Sequence, residues 1–577
     1  MAVNAYPELP RMEFKLRPSI WDQYDFASIT KDHDLDLKSY NGEIDALKGE
    51  VKDMLIASAR DPVENIVLID LLCRLGVSYH FENEIEDQLN QIFTAQTIPF
   101  DDHQHHYLFK NELEEQLNRV FIAHQSIPFD DHQYDLYTTA LLFRVLRQHG
   151  YRVSCDLFNK FKDDHGNFKE YLKSDVKGLL SLYEASHLSL HGEVILDEAL
   201  TFTRTHLTFL IPQLSHSLAE HVSDALTLPY HKATPRVKAR KYISFYENQE
   251  SPNELLLKFA KIDFNRLQIL HQKEIVQLLR WGKDTVKIKT KFPYARDRLL
   301  ECYFFAVGTL FDPGYGRSRL FLAKIIQIVT LHDDTYEVYG KFEELQSYAE
   351  AVLRWDDAAI DTLPNYMKFL YRSLKEYCED FANELEEDRS QALEILKKAW
   401  QMLLKAYFTE AKWFQEGYMP PYDEYMKIAK VTGSLHMIML GCFLGMGAPA
   451  KSSIIEWFIS IPKLLEAVLI NTRLINDLTH EVEHEDEHVI SCVESCMEEY
   501  GISREEAVEE VFKKSANSWK DINEEWMRPL GVPRKFSLAI VNFNRVSEEI
   551  YKHDDGYTNQ LSLEDTIASL VVHKIPL

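Results

Sequence analysis

The sequence predicts an all-α protein made of two helical domains, and three observations carry that prediction. Apolar residues recur at three and four positions with charges between them, as in "VENIVLIDLLCRLGVSYHF", "NELLLKFAKIDFNRLQILHQKEIVQLLRW" and "EEAVEEVFKKSANSWKDINEEWM". That period lays one apolar stripe along a helix. No alternating stretch of useful strand length interrupts it. The 20 glycines and 20 prolines gather at breaks such as "FDPGYG" and "GYMPPYDEY", where they punctuate helices. A chain of 577 residues, 45% of them hydrophobic, exceeds one ordinary core and can fill two.

Taken in order, the N-terminal "MAVNAYPELPRMEFKLRPSIW" carries neither an apolar signal core nor a long Ser- and Arg-rich leader. A cytosolic location is expected from it. Next comes a tandem duplication: "FENEIEDQLNQIFTAQTIPFDDHQ" (81–104) returns as "FKNELEEQLNRVFIAHQSIPFDDHQ" (109–133). One extra copy is too few for a solenoid, so an added helix or surface segment is expected. The histidines at its junction, His103, His105 and His106, read as a solvated loop. A polar stretch at 244–254, "SFYENQESPNE", separates two helical blocks. It places the boundary between an N-terminal domain, 1–250, and a C-terminal domain, 251–577.

Charge and cysteine content narrow the function. The net charge of −27 argues against nucleic acid or an anionic membrane as partner. Any bound anion must meet locally collected positive charge. The seven cysteines form no CxxC pair or disulfide framework, which fits a reducing compartment. Cys492 and Cys496, four apart, read as core thiols on one helix face. No run of 18 or more apolar residues is seen, so no membrane span is expected.

The chemistry begins in "IQIVTLHDDTYEVYG", residues 326–340. An apolar helix there ends in Asp333, Asp334 and Glu337. Asp333 and Glu337 lie one turn apart on one face, with Asp334 turned about 100° away. Buried carboxylates need neutralising. Either a salt bridge or solvated helix end does this, or a hard divalent cation with oxygen ligands does. "NTRLINDLTHEVEHEDEH" supplies a second set: Asn476, Thr479 and Glu483 share a helix face, with Arg473 and Asp477 beside them. "YARDRLLECYFF" supplies Arg296 and Arg298. Two acidic helices with nearby arginines suit a diphosphate held by metal ions and guanidinium groups.

These motifs, with "RPSIW", "LYTTALLFRVLRQHGYRVSCDLFNKFKD", "AIDTLPNYMK", "AKWFQEGYMPPYDEYM", "NSWKDINEEW" and "YKHDDGYT" in the same order, make nearly the whole chain resemble the plant terpene synthases, most closely the cytosolic sesquiterpene synthases. The resemblance implies a class I helical bundle in the C-terminal domain and an α-barrel-like N-terminal domain that helps cap it. It implies that Asp333, Asp334 and Glu337 bind Mg²⁺, and that Asn476, Asp477, Thr479 and Glu483 serve a further ion. Three Mg²⁺ are implied, with Mn²⁺ able to substitute. Arg296, Arg298 and Arg473 should grip the substrate diphosphate. Phe305, Tyr551 and Tyr557 match aromatic pocket positions and Asp555 an acidic neighbour. Thr432, Gly433 and Ser434 match a cavity-shaping helix break, and residues 552–559 a closing loop. Farnesyl diphosphate is the implied substrate, and a monomer without nucleic-acid or membrane partner is expected.

The chain departs from the family pattern at several places. Glu337 replaces an aspartate, Phe305 a tryptophan, and "WGK" at Trp281–Gly282 a "WWK". The second motif is spaced three and four rather than four and four. Asp486 and Glu487 stand where an Arg-Gly pair is usual. A second reading follows from these changes: an inactive relative that binds diphosphate or serves as a scaffold.

Overall fold

A computed structural model describes residues 19–29, 33–97, 134–483 and 490–577. Helices carry the chain, and the single β contact among the described residues is an isolated antiparallel bridge between Lys162 and Phe168. The second copy of the duplication, the three junction histidines, Asp486 and Glu487 lie outside the described residues. The first copy begins as a helix, Glu82–Thr97.

The chain divides into two compact units, and each draws on separated segments. Of the described residues, the first holds those within 1–32, 268–518 and 542–573, and the second those within 33–267, 519–541 and 574–577. The polar stretch at 244–254 does end one helix, Pro235–Glu247, and precede another, Glu254–Arg280. Compactness does not cut there, because the second unit keeps the chain to Leu267, within that 27-residue helix.

In the second unit, local sequence sets the helix starts. Asp61 caps Pro62–Arg74 by accepting from the Val63 and Glu64 amides, and Asp135 caps Leu136–Gln148 by accepting from Thr138. Each satisfies amides that the first helical turn leaves open. Leu179, Tyr183, Leu207, Val222 and Ala225 form part of its core. Its interior also holds charge: Arg144 and Arg74 both meet Asp70, at 2.7 and 2.9 Å.

The first unit carries the motif helices. All eleven residues of α1 (Leu299–Thr309) are buried, Glu301 among them. It packs along α2 (Gly316–Asp334), which packs on α5 (Leu435–Gly445). α3 (Arg389–Glu416) lies against α4 (Tyr422–Thr432) and α5. A Cβ on Gly445 would stand 2.9 Å from Ser318 Cα, so only glycine permits that approach of α5 to α2. α6 (Lys463–Glu483) and α7 (Cys492–Tyr500) complete the set. Cys492 and Cys496 are buried with Trp413, Tyr425 and Leu474, which matches their reading as core thiols.

Residues 422–445, spanning α4 and α5, are long and apolar enough to cross a membrane, with a mean hydropathy of 1.4 over their most apolar window. That window is 78% buried inside the fold, and the backbone breaks at Gly433 and Ser434, so its apolar surface serves the core.

Candidate active site

α2 is buried along nearly its whole length, so its carboxylates emerge from the core at its C-terminus. The chain then widens into a π turn, Thr335–Tyr339, closed by the Gly340 amide donating to the Thr335 carbonyl at 2.8 Å. Glu337 therefore sits in a turn with one extra residue, not in the plain α register expected from its spacing. Such turns are rare and concentrate at functional sites.

Arg296 meets this end of α2 directly. Its backbone amide and Nε donate to the Asp334 carboxylate at 2.6 and 2.8 Å, and a terminal nitrogen reaches Asp333 at 2.9 Å. Its other terminal nitrogen donates to Thr558 Oγ1 at 2.9 Å. Arg298 donates to the Tyr557 and Thr558 carbonyls at 2.9 and 3.0 Å. Both arginines thus hold the 552–559 loop, and Arg296 ties that loop to both aspartates. Asp555 closes the loop from within by accepting from the Tyr557 and Thr558 amides.

The second motif is arranged around Arg473. Its guanidinium donates to Asn476 Oδ1 at 2.6 Å and to Asp477 Oδ1. Asp477 is 1% exposed. Its other oxygen accepts from the Tyr425 hydroxyl at 2.8 Å and the Cys492 amide at 2.9 Å. Both oxygens of Asp477 are therefore engaged by protein groups that tie α6 to α4 and α7. Thr479 turns its hydroxyl to the Asn476 carbonyl at 2.6 Å. Glu483 is the last residue of α6, and its side chain is outside the described set.

The helix break lies where the sequence placed it. α4 ends at Thr432, Ser434 adopts a left-handed φ of 62°, and α5 starts at Leu435. Ser434 hydrogen-bonds the Tyr407 hydroxyl at 3.1 Å. Thr432 donates to Glu410 at 2.7 Å. Glu410, on α3, went unnoticed in the sequence, where it reads as one more polar residue on a long amphipathic helix.

Charge is out of balance here. Burial and the neighbouring Asp334 push Asp333 above the usual carboxylate range against the pull of Arg296. Burial pushes Glu410 up to about 7, with Asp333 and Asp477 adding to it and Thr432 and Arg473 opposing. Loss of solvation, together with Asp333, raises Glu337 well above its usual range, although the residue itself remains accessible to solvent. Three carboxyls favour protons because the loss of solvation outweighs the positive charge that faces them.

The aromatic residues form the apolar part. Phe305 stacks on Phe543 at 5.1 Å and meets Tyr557 edge-on at 6.1 Å. Tyr557 directs its hydroxyl to Thr330 on α2, and Tyr336 stacks on Tyr407 at 5.5 Å. Tyr551 feels the charges of Asp555, Arg473, Arg296 and Asp333. The fold thus brings together Arg296, Arg298, Asp333, Asp334, Tyr551, Asp555 and Tyr557, with Phe305 beneath Tyr557. Arg473 adjoins Glu410.

The donor set suits a hard cation: carboxylates, an amide and a hydroxyl, without thiol or imidazole. Three carboxyls that lose solvation and crowd one another would be relieved by a divalent ion. Among the described residues, no three Asp, Glu, His or Cys side chains already stand in a metal-holding group, and Arg296 engages Asp333 and Asp334.

Comparison with known proteins gives a consistent result. A family model described as "Terpene synthase family, metal binding domain" matches residues 284–521. A second, "Terpene synthase, N-terminal domain", matches 20–106 and again 104–226. The chain is 44% identical over 562 residues to a probable terpene synthase 6 of Ricinus communis, covering 96% of each. It is 40% identical over 580 residues to a hedycaryol synthase of Camellia brevistyla, covering 100% of this chain and 98% of the relative. The fold matches isoprene synthase from grey poplar leaves, solved with three Mg²⁺ ions and dimethylallyl-S-thiolodiphosphate. That match has a TM-score of 0.82 at 32% identity, covering 95% of this chain and 99% of the other.

Proposed function

The chain belongs to the terpene synthase family, and on that premise we propose that it converts farnesyl diphosphate to a sesquiterpene with release of diphosphate. As a class I member it is a Mg²⁺-dependent lyase. The choice of a C15 substrate is supported by the hedycaryol synthase, a relative that aligns with the whole of this chain. Isoprene synthase, at lower identity, shows that the same fold also serves a much shorter substrate.

One observation carries the reading. Arg296 joins an over-acidic helix end to the closing loop through Asp333, Asp334 and Thr558. In this proposal Asp333, Asp334 and Glu337 hold metal on one side. Asn476, Thr479 and Glu483 hold it on the other, while Asp477, with both oxygens engaged, anchors α6. Bound Mg²⁺ supplies positive charge that stabilises the departing diphosphate. Arg296, Arg298 and Arg473 donate hydrogen bonds to its oxygens, favouring cleavage of the allylic C–O bond. Arg296 and Arg298 already hold the 552–559 loop, so diphosphate binding and loop closure draw on the same guanidinium groups. Phe305, Tyr557 and Tyr551 then present aromatic faces to the carbocation, and the closed loop keeps water from it.

Incubation with C10, C15 and C20 prenyl diphosphates and Mg²⁺, with products identified by gas chromatography and mass spectrometry, tests this. A sesquiterpene from the C15 substrate that disappears with EDTA is the expected result. The shortened second motif with Asp486 and Glu487 favours the other reading, a non-catalytic diphosphate binder. Mg²⁺-dependent diphosphate binding without product from any chain length would establish it.

A further inference from the structure

The π turn that carries Glu337 has an unusual brace. Tyr294 and Tyr339 lie ring on ring, with centroids 3.9 Å apart and planes within 1°. Tyr366 meets both edge-on, at 5.9 and 5.0 Å. The Tyr294 hydroxyl pairs with Thr335 Oγ1 at 2.9 Å, and that hydroxyl itself donates to the Leu331 carbonyl. Tyr294 is two residues before Arg296, whose amide and guanidinium bind Asp334. One short segment therefore grips the turn at both ends, with Glu337 between the grips.

We infer that Tyr294 and Tyr339 are positioning residues that hold the turn after Asp334 in its π register and thereby set where the Glu337 carboxylate stands relative to Asp333. A π turn advances roughly 80° per residue against 100° in an α-helix. Over five residues the two registers diverge by about a quarter turn, enough to carry the Tyr339 ring off the face of Tyr294. The stack is thus compatible with only one register. Gly340 reinforces it: a Cβ there would stand 2.5 Å from a Leu345 methyl and 2.8 Å from the Thr335 carbonyl. The chain carries Glu337 with one methylene more than aspartate, so the reach of that carboxylate depends on where the turn places its Cα.

The inference rests on the reading of Asp333 and Glu337 as metal ligands, and the test separates the two. Mn²⁺ is titrated into full-length protein without substrate and free ion is followed by electron paramagnetic resonance. Thermal unfolding in EDTA and the KM and kcat for farnesyl diphosphate are measured on the same samples. Tyr294→Leu and Tyr339→Leu are expected to weaken Mn²⁺ binding about tenfold, whereas Tyr294→Phe and Tyr339→Phe stay within about twofold of wild type. Tyr371→Leu, at a buried tyrosine of the same unit, should lower the unfolding temperature without moving Mn²⁺ affinity. If a leucine variant does not fold, Tyr366→Leu, which removes the edge contacts and the hydroxyl's hydrogen bond to Glu344, should still weaken Mn²⁺ binding a few-fold, whereas Tyr366→Phe, which loses the hydrogen bond alone, should not. Leucine variants that bind Mn²⁺ like wild type overturn the inference. Wild-type protein that neither binds Mn²⁺ nor turns over a prenyl diphosphate overturns the functional reading beneath it.

Discussion

Both units bury carboxylates, and they treat them oppositely. In the second unit burial would raise Asp70, yet Arg144 and Arg74 more than offset it and hold the carboxyl below its usual range. Asp224 is held down in the same way by Lys238 and Lys241, and Asp263 by His80, Arg266 and Tyr79. Glu184 and Glu82 are exceptions: loss of solvation outweighs the cations that act on them. In the first unit, the half-buried Asp333 and Glu410 are raised, and so is Glu337, which keeps its access to solvent. A charge cluster balanced by its own cations serves the fold. One left with excess acid is poised for a cation from outside. Buried charge alone does not mark a site; the sign of its imbalance does.

The sharpest way to break this comparison is to neutralise one carboxylate in each unit. Asp70→Asn leaves two buried guanidinium groups facing an uncharged amide, which should cost about 3–5 kcal/mol and lower the unfolding temperature by roughly 10 °C. Turnover measured at a permissive temperature should persist. Asp333→Asn removes one of three crowded acids. It should leave unfolding in EDTA unchanged or slightly raised while reducing turnover at least about a hundredfold. If Asp333→Asn unfolds as readily as Asp70→Asn, its carboxylate is structural and the contrast fails.

The next largest effect is ligand-driven. A cation that binds only the folded protein stabilises it by mass action, about 2.7 kcal/mol at a hundredfold excess over the dissociation constant. Mg²⁺ should raise the unfolding temperature of wild type and of Asp70→Asn by several degrees, and EDTA should reverse this. Asp333→Asn should show little of the shift.

A smaller effect is a difference in pH dependence. Glu410 is raised from an ordinary 4.5 to about 7. The stability it contributes is full below the unfolded value and is lost as pH rises through about 7. Allowing for its partial exposure, the change is on the order of 2 kcal/mol. In EDTA, wild type should therefore lose stability between pH 5 and 7.5 more steeply than Glu410→Gln. Asp70 runs the other way: its contribution is present above the ordinary carboxylate range and fades only as pH falls beneath it. Identical slopes for wild type and Glu410→Gln would show that Glu410 meets solvent freely.

Much of the site could be read from the sequence because its residues sit in short runs: Arg296 and Arg298 in one, Asp333 to Glu337 in another, Asp555 and Tyr557 in a third. What could not be read depends on geometry between runs. Hydrophobic periodicity does not register one extra residue in a turn, so the π turn looked like continued helix. Asp477 carried a ligand's chemistry, and only its partners, Tyr425 and the Cys492 amide, reveal an anchor. Glu410 had no distinguishing neighbour in sequence. The polar stretch at 244–254 marks a helix boundary, but a break between helices need not be a cut in the packing: the helix that starts there, Glu254–Arg280, contributes its residues to Leu267 to one unit and those from Gln268 to the other.

Glu301 did leave a signal: it is the one carboxylate in an otherwise apolar helix, α1. It offers the smallest and most discriminating test, because it is a raised carboxyl in the first unit that the comparison must explain without a metal. Burial raises it. One oxygen accepts from the Trp21 indole at 2.6 Å and the Gln560 amide at 2.9 Å, while the other is buried without a partner among the described residues. Its contacts join the segment around Trp21 to the start of the helix that follows the closing loop. An acceptor is needed there, and a charge is not. Glu301→Gln keeps the accepting oxygen and removes the buried charge, so stability at pH 7 should hold or rise slightly and turnover should stay within about twofold. Glu301→Leu leaves the indole and amide donors unmet, at about 1–3 kcal/mol. It should loosen the helix after the loop and reduce turnover a few-fold, with a larger share of water-quenched alcohol among the products. A Glu301→Gln variant as inactive as Asp333→Asn would mean that the charge itself acts in the reaction. The distinction between an anchoring acid and a metal-facing acid within this unit would then have to be redrawn.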